Sequence, residues 1–196
     1  TRSTGDASTY VDIFDLNRDG LPDRVFRGYN SSDYTKLWWQ KNNGISFDNL
    51  EAFSDIAAQP GETERASVRY GGTHGRVNTT DINGDSLPDR VYIYNDYYLQ
   101  RWEVQINDST KFLPSRGWGE IDGFDNPSTY AWLWGFEYDP PVWGYIDLFD
   151  INGDGFADRV IRKEQGQWRV QLNNGNGFDP NIIWPNVQYS THPSES

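Results

Sequence analysis

One short acidic segment occurs three times, and it constrains this chain more than any other feature. The copies are Asp15-Leu-Asn-Arg-Asp-Gly-Leu-Pro-Asp-Arg-Val25, Asp81-Ile-Asn-Gly-Asp-Ser-Leu-Pro-Asp-Arg-Val91 and Asp150-Ile-Asn-Gly-Asp-Gly-Phe-Ala-Asp-Arg-Val160. Counted from the first Asp, side-chain oxygens stand at positions one, three, five and nine. A segment this short and acidic predicts a loop that holds a hard cation. Because all the donors are oxygen, Ca²⁺ is favoured over zinc or copper.

A polar turn between two strands is the simpler interpretation of one such segment, because Asp, Asn and Gly dominate turns. Three copies in the same register favour the metal loop. An EF-hand would need a bidentate Glu at position twelve, where this chain has Phe26, Tyr92 and Ile161. The Asp at position nine must therefore close the site. These residues are Asp23, Asp89 and Asp158.

Composition excludes several classes of partner. With 29 acidic and 17 basic residues, the chain has a formal charge of −12, which repels nucleic acids and anionic membrane surfaces. No apolar run is long enough to span a membrane, so neither nucleic-acid binding nor membrane insertion is expected. The lack of Cys excludes a disulfide framework and thiol catalysis.

The three loops are nearly evenly spaced and divide the chain into repeats at residues 1–70, 71–138 and 139–196. Each repeat is predicted to be a four-stranded unit, in which the first strand enters the loop and the second leaves it. The third strand alternates apolar and polar residues from Trp102 to Asn107, which predicts one packed face and one solvent-exposed face. No segment shows a helical period, so the predicted fold class is all-β.

The fourth strand is less clear. A turn that ends in Phe follows each third strand, at 43–47, 107–112 and 174–178. The fourth strand is then predicted at 66–70 and 130–138, and the last repeat shows none before Tyr189. Segments 48–65 and 115–129 are rich in Gly, Pro, Asp and Ser, which predicts exposed loops.

The repeat Asp-x-Asn-x-Asp-Gly-x-Pro-Asp-Arg-Val, followed by a Trp strand, Asn-Asn-Gly and Gly-Phe, resembles the FG-GAP or VCBS repeat family. That family builds the calcium-bearing blades of integrin-like β-propellers. The Asp-Arg-Val variant is similar to repeats in bacterial surface and toxin-complex proteins of the SpvB and Rhs type. The resemblance covers nearly the whole chain and implies three four-stranded antiparallel blades of propeller type.

The resemblance also implies one Ca²⁺ in each repeat, three in total, with a backbone carbonyl ligand at position seven. The implied ligands are Asp15, Asn17, Asp19, Leu21 and Asp23 in the first repeat; Asp81, Asn83, Asp85, Leu87 and Asp89 in the second; and Asp150, Asn152, Asp154, Phe156 and Asp158 in the third. The middle loop has Ser86 where glycine is expected. If this residue needs a positive φ, the strain makes the second site the weakest.

The Arg that follows position nine is predicted to form an ion pair with a loop carboxylate rather than to face a ligand. These residues are Arg24, Arg90 and Arg159. Since propellers have four to eight blades, three do not easily close a ring. The chain is therefore expected to be a partial β-propeller within a longer chain, half of a six-bladed homodimer, or an open array.

Together these features predict a non-catalytic, extracellular calcium-binding module for adhesion, binding or scaffolding, with a protein or glycan partner. One alternative is a carbohydrate-binding propeller lectin, since several aromatic residues are hard to bury together. These are Trp38, Tyr97, Tyr98, Trp132, Trp134 and Trp143. Another is a shell segment of a bacterial toxin-complex or Rhs protein. An enzyme would need a cluster of His, Arg, Tyr or acidic residues off the loops, and none appears at motif spacing.

Overall fold

The structure is a computed structural model, and it describes residues 2–3, 8–28, 35–56, 69–70, 77–96, 99–120, 135–139, 142–163 and 168–185. Every regular element in these segments is a β-strand, which confirms the all-β prediction. They contain no helix that could cross a membrane. The strands are β1 (Arg2–Ser3), β2 (Ser8–Phe14), β3 (Asp23–Arg27), β4 (Lys36–Gln40), β5 (Glu51–Asp55), β6 (Arg69–Tyr70), β7 (Val77–Thr80), β8 (Asp89–Asp96), β9 (Leu99–Gln105), β10 (Arg116–Glu120), β11 (Gly135–Asp139), β12 (Val142–Phe149), β13 (Asp158–Lys163), β14 (Trp168–Gln171) and β15 (Ile182–Trp184).

A four-stranded antiparallel meander recurs three times. We call β2–β5 unit one, β7–β10 unit two and β12–β15 unit three. In each unit the acidic loop joins the first two strands, and the residue before the loop pairs with the Asp at position nine. The pairs are Phe14 with Asp23, Thr80 with Asp89 and Phe149 with Asp158. The shared register places the three loops identically within their units.

The turn after the third strand also repeats. An isolated bridge closes it in each unit, between Asn42 and Phe47, Asn107 and Phe112, and Asn173 and Phe178. Gly44, Ser109 and Gly175 take a positive φ inside these turns, as tight turns of this kind require. The predicted turns are therefore confirmed. We call Phe47, Phe112 and Phe178 the capping phenylalanines.

The units are arranged in two sheets. The two-residue strand β6 pairs with both β2 and β7, so units one and two share a ten-stranded sheet. Unit three forms a five-stranded sheet with β11 at its edge. Neither sheet closes on itself within the described residues. The three antiparallel units are thus observed, while the repeat boundaries at 70/71 and 138/139 remain predictions.

The hydrophobic core lies between consecutive units. Phe112 of unit two packs into a cluster of unit-one residues, and its ring meets that of Phe53 edge to face at a centroid distance of 5.4 Å. The cluster comprises Leu16, Val25, Leu37, Phe53, Ile56 and Phe112. Phe178 of unit three packs in the same way against unit two. That cluster comprises Ile82, Val91, Trp102, Val104, Trp118, Ala157 and Phe178.

The predicted fourth strands were wrong in position. The fourth strand of each unit is β5, β10 or β15, so two of them lie inside segments 48–65 and 115–129 that were predicted to be loops. The strands found within 66–70 and 130–138 are β6 and β11, which pair with the first strand of the next unit. β5 and β10 each have one aromatic residue in the core, Phe53 and Trp118, and this burial outweighs their weak local pattern.

The solvent-exposed face predicted for the third strand is also wrong. Glu103, Gln105 and Asn107 alternate with Trp102 and Val104, and all five are buried. Gln105 donates a hydrogen bond from Nε2 to the Asp55 carbonyl of unit one at 3.4 Å. The preceding unit therefore supplies hydrogen-bond partners in place of water for Gln105 and Asn107, whereas Glu103 is bonded within unit two.

Candidate metal loops

The Asp at position one has a similar set of hydrogen bonds in each loop: Oδ2 always accepts the amide of position six, and Oδ1 accepts that of position four, of position five or of both. Both carboxylate oxygens of this Asp accept backbone N–H groups from within the loop. Asp150 accepts from Gly153 at 2.7 Å through Oδ1 and from Gly155 at 2.9 Å through Oδ2. Asp15 and Asp81 accept the amide of position six through Oδ2 at 2.8 Å. The loop therefore wraps around its first carboxylate.

Positions three and five are linked to one another in every loop. The Asn oxygen accepts the backbone N–H of position five, and the Asn amide donates to the carboxylate of position five. In the third loop these distances are 2.9 Å and 2.8 Å, between Asn152 and Asp154. The carboxylate of position five also accepts the backbone N–H of position seven, from Leu21, Leu87 and Phe156. The predicted ligands of each loop are thus held side by side.

The carboxylate of position nine is fully buried, unlike the carboxylates of positions one and five. One oxygen of Asp89 accepts the N–H of Ile82 at 3.1 Å, and the other accepts the N–H of Asn107 at 2.8 Å. Asp23 and Asp158 make the same two bonds in their own units. This carboxylate therefore joins the start of its loop to the turn after the third strand.

Burial raises the pKa of all three position-nine carboxyls, and that of Asp89 rises to about 7. The two backbone amides oppose this rise, whereas repulsion from the carboxylates at positions one and five adds to it. By contrast, the amide of Gly155 lowers the pKa of Asp150, and the amide of Leu21 lowers that of Asp19. Each loop thus brings one buried carboxyl with a raised pKa close to the carboxylates of positions one and five.

This donor set fits Ca²⁺ in its chemistry. Every side-chain donor is an oxygen of Asp or Asn, and the mutual repulsion of the three carboxylates would be relieved by a divalent cation. In the described segments, no group of three or more His, Cys, Asp or Glu side chains is placed so that it could hold a metal ion as it stands. The carboxylates at positions one and five accept loop amides, and their remaining lone pairs are the ones that would bind the ion.

Two loops contain a non-glycine residue in the left-handed region. Ser86 has a φ of 69°, which confirms the condition for strain in the middle loop. Arg18, at position four of the first loop, has a φ of 63°, and the other loops have glycine there. The strain at Arg18 was not predicted, because glycine was expected only at position six. Gly153 and Gly155 fill both positions in the third loop, so that loop avoids a cost of about 1 kcal/mol.

In unit one, a lysine side chain competes with a metal ion for the carboxylate of position five. Lys41 Nζ lies 3.1 Å from the Asp19 carboxylate, and both side chains are partly exposed. The pair lowers the pKa of Asp19, after the larger effect of the Leu21 amide, and raises that of Lys41. The equivalent residues of the other units are Ile106 and Leu172. An ammonium group at position five must be displaced before a metal ion can use that oxygen.

We therefore expect loop three to take up calcium before the other two, and loop one to bind weakly. Loops one and two each carry a strained residue, and loop one also carries the lysine. A calcium titration followed by the backbone amide resonances of Gly155, Ser86 and Gly20 reports the three loops separately. Lys41→Leu should tighten loop one. Lys36→Leu, which removes a surface lysine beside Asp55, is the matched control and should leave all three unchanged.

The stability of the calcium-free protein should fall as the pH rises from 5 to 8. Unfolded Asp89 loses its proton near its ordinary pKa of 3.8, whereas folded Asp89 keeps it up to about 7. Between these values the folded state binds more protons, so its advantage declines with increasing pH. Calcium should remove the decline, because the ion stabilises the ionised carboxylates.

Thermal unfolding by circular dichroism, in chelator and in calcium, measures this dependence across the pH range. Asp89→Asn cannot titrate, and it should flatten the profile in chelator even though it loses one acceptor. A native protein whose melting temperature in chelator does not change between pH 5 and 8 would contradict the assignment to Asp89.

The arginine after each loop donates a hydrogen bond to a glutamine of the third strand, and the ion pair predicted for it with a loop carboxylate stays a prediction. Arg90 and Arg159 are buried, and each donates from Nη1 to a Gln on the neighbouring third strand. Arg24 makes the same contact with Gln40. Arg159 also lies over the Trp102 ring of unit two, 5.3 Å from its centroid. These arginines contribute to packing within and between units and do not form an exposed basic ring.

Most of the aromatic residues on which the lectin alternative depends lie outside the residues that the structure describes. Tyr97, Tyr98, Trp132 and Trp134 are beyond the described residues, and the side chain of Trp143 is not described. Trp38 is half-buried on β4. No family model matches the chain, and no curated protein matches it. The resemblance to FG-GAP or VCBS repeats therefore rests on the loop motif and remains a hypothesis.

Proposed function

We propose that the chain is a non-catalytic, extracellular calcium-binding module of propeller-type repeats that serves as an adhesion, binding or scaffold domain. The observation that carries the proposal is the triplicate arrangement of one buried carboxyl beside the carboxylates of positions one and five. A single acidic turn could arise for local reasons, but three with similar hydrogen bonds point to one shared ligand. Asp, Asn and the carbonyl at position seven would hold the ion in each loop.

Calcium would act through the backbone of position two, the residue that follows the first ligand. The N–H of Leu16 donates to Asp23 within unit one, at 3.1 Å. The carbonyl of the same residue accepts Nδ2 of Asn107 in unit two, at 2.8 Å. Ile82 repeats this arrangement between Asp89 and Asn173. An ion that holds position nine would therefore support the contact with the next unit as well as its own loop.

An extracellular setting follows from the affinity that the loops are expected to have for calcium. Oxygen-only calcium modules outside cells bind with dissociation constants of about 10⁻⁴–10⁻³ M, which suits millimolar calcium. Three bound ions would also cancel half of the formal charge of −12. The rigid loops would then support the surface that binds a protein or glycan partner.

The test is a comparison of calcium binding and thermal unfolding in two triple variants. Asp15→Asn, Asp81→Asn and Asp150→Asn together remove position one from every loop. Asp12→Asn, Asp55→Asn and Asp147→Asn remove the same charge outside the loops and serve as the control. The native chain and the control should bind three ions by calorimetry. At ten times the dissociation constant, each site adds about 1.4 kcal/mol of stability.

The loop variant should neither bind three ions nor gain stability. Identical melting curves in calcium and in excess chelator would overturn the proposal. So would a loop variant that binds as the control does, because calcium would then act only by screening surface charge.

A further inference from the structure

The three capping phenylalanines differ in exposure according to their unit. Phe112 and Phe178 are 5% and 8% exposed, because each packs against the preceding unit. Phe47 is the equivalent residue of unit one and is 43% exposed. The backbone N–H of Phe112 donates to Ser54, and that of Phe178 donates to the Trp118 carbonyl. Units two and three therefore each present a side, here called the back face, that the preceding unit covers.

The asparagine of the turn follows the same pattern. Asn107 and Asn173 are buried, and each donates from Nδ2 to a loop carbonyl of the preceding unit, at 2.8 Å and 2.6 Å. Asn42 is half-buried, and its Nδ2 donates to the Pro22 carbonyl of its own unit. Ile13 extends the comparison, since its equivalent Leu148 packs against the core between units two and three whereas Ile13 is exposed. The back face of unit one is thus formed but uncovered.

The opposite side of unit three is uncovered in a complementary way. In units one and two, the next unit buries a side that we call the front face. The front face consists of the position-two residue and of aromatic or aliphatic residues of the third and fourth strands. These residues are Leu16, Leu37 and Phe53 in unit one, and Ile82, Trp102 and Trp118 in unit two. Their equivalents in unit three are only partly buried. They are Ile151, Trp168 and Trp184.

Exposed large apolar side chains are concentrated on the same two units. Among the described residues, Leu113 is the one such side chain in unit two. Unit one has Ile13, Ile45, Phe47 and Leu50, and unit three has Phe149, Ile182 and Ile183. A soluble chain rarely leaves such residues clustered unless they mark a contact.

We propose that a second copy of this chain occupies these faces, with the back face of unit one docked on the front face of unit three of its neighbour. This contact continues the series of two interfaces already present inside the chain. By equivalence, Asn42 donates to the Ile151 carbonyl of the other copy, and Phe47 packs beside Trp184. Both halves of the contact are present in one molecule, so a copy of the same chain has the required complementarity. The contact goes beyond the proposed function.

This contact is heterologous, because different surfaces of the two copies meet. Such an arrangement either closes into a ring or extends into a filament, according to the rotation between successive copies. Two copies that close would place six units in one ring. In either case each copy contributes one back face and one front face, and a mixing experiment can test this.

The test uses the full chain and two variants that each disable one face. Phe47→Asp changes the back face, and Trp184→Asp changes the front face. Leu113→Asp is the matched control, since it also replaces an exposed apolar residue but lies on the middle unit. Phe149 also belongs to the front face, since its equivalent Phe14 packs against the core between units one and two, so Phe149→Asp is a second front-face variant in case Trp184→Asp unfolds unit three. Sedimentation velocity over a concentration series, in calcium and in chelator, measures the mass of each.

The native chain and Leu113→Asp should self-associate with increasing concentration in at least one condition. Phe47→Asp and the folded front-face variant should each stay monomeric up to at least tenfold higher concentration. An equimolar mixture of the two should form a 1:1 dimer and stop there, because only one intact pair of faces remains. A native chain that stays monomeric in both conditions would overturn the proposal and assign the faces to another partner. Face variants that associate alone, or fail to pair when mixed, would also overturn it.

Discussion

Replacing Trp118 with alanine is expected to lower the free energy of unfolding by about 3–5 kcal/mol. The indole is completely buried between units two and three, in the cluster that includes Trp102 and Phe178. Its Nε1 donates to Asn173 Oδ1 at 3.2 Å. The substitution would therefore leave a large cavity and remove a hydrogen bond across the interface. Denaturant unfolding monitored by circular dichroism measures the loss.

Trp184→Ala is the matched control for this prediction. Trp184 occupies the equivalent position on β15 of unit three but is only partly buried. Its removal in dilute solution should cost clearly less, because part of the ring already contacts water. Equal losses for the two variants would show that the Trp118 ring contributes only to its own sheet and not to the interface between units.

Replacing Asn173 with alanine should cost about 2–4 kcal/mol, because it leaves several buried groups without partners. Its Nδ2 donates to the carbonyls of Ile82 and Ala157, at 2.6 Å and 3.1 Å. Its Oδ1 accepts the N–H groups of Gly175 and Trp118. None of these groups lies where water can easily replace the amide. Thermal and denaturant unfolding together give the loss.

Asn42→Ala tests the same position in unit one. Asn42 donates to Pro22 and accepts from Gly44, both in its own unit, and it is half-buried. Its removal should cost about 1 kcal/mol, the usual value for a hydrogen bond that water can replace in part. If Asn42→Ala lowered the free energy of unfolding as much as Asn173→Ala, the stabilisation would come from the turn itself and not from the contact between units.

The sequence was sufficient to locate the loops, the first three strands and the turns. These features depend on local chemistry: Asp and Asn at fixed spacing, Arg-Val after the loop, and glycine where φ is positive. Three copies strengthened each of these inferences. The fourth strands were missed because β5 and β10 have weak local patterns. Phe53 and Trp118 form strands there because they reach a core between units, and a linear sequence does not show that core.

The alternation on the third strand was correctly recognised but wrongly interpreted. Glu103 and Gln105 are polar, and periodicity alone assigns polar residues to solvent. In the structure Gln105 bonds to unit one, while Glu103 accepts hydrogen bonds from Tyr92, Ser115 and Arg101. Residues that satisfy one another in this way can be buried without an apolar pattern. The same limitation explains Lys41, whose approach to Asp19 depends on the pairing of two strands.

The peptide groups of Leu16 and Ile82 each face a carboxylate of their own unit and an asparagine of the next. Every unit thus carries both sides of the same contact between units, the position-two peptide group and the turn asparagine. Genetic removal of unit two would bring Asn173 opposite the Leu16 carbonyl and Phe178 opposite Phe53, which are the groups that unit two itself had met. Such a chain can therefore be shortened or lengthened in whole units by recombination, with each new junction already encoded on either side.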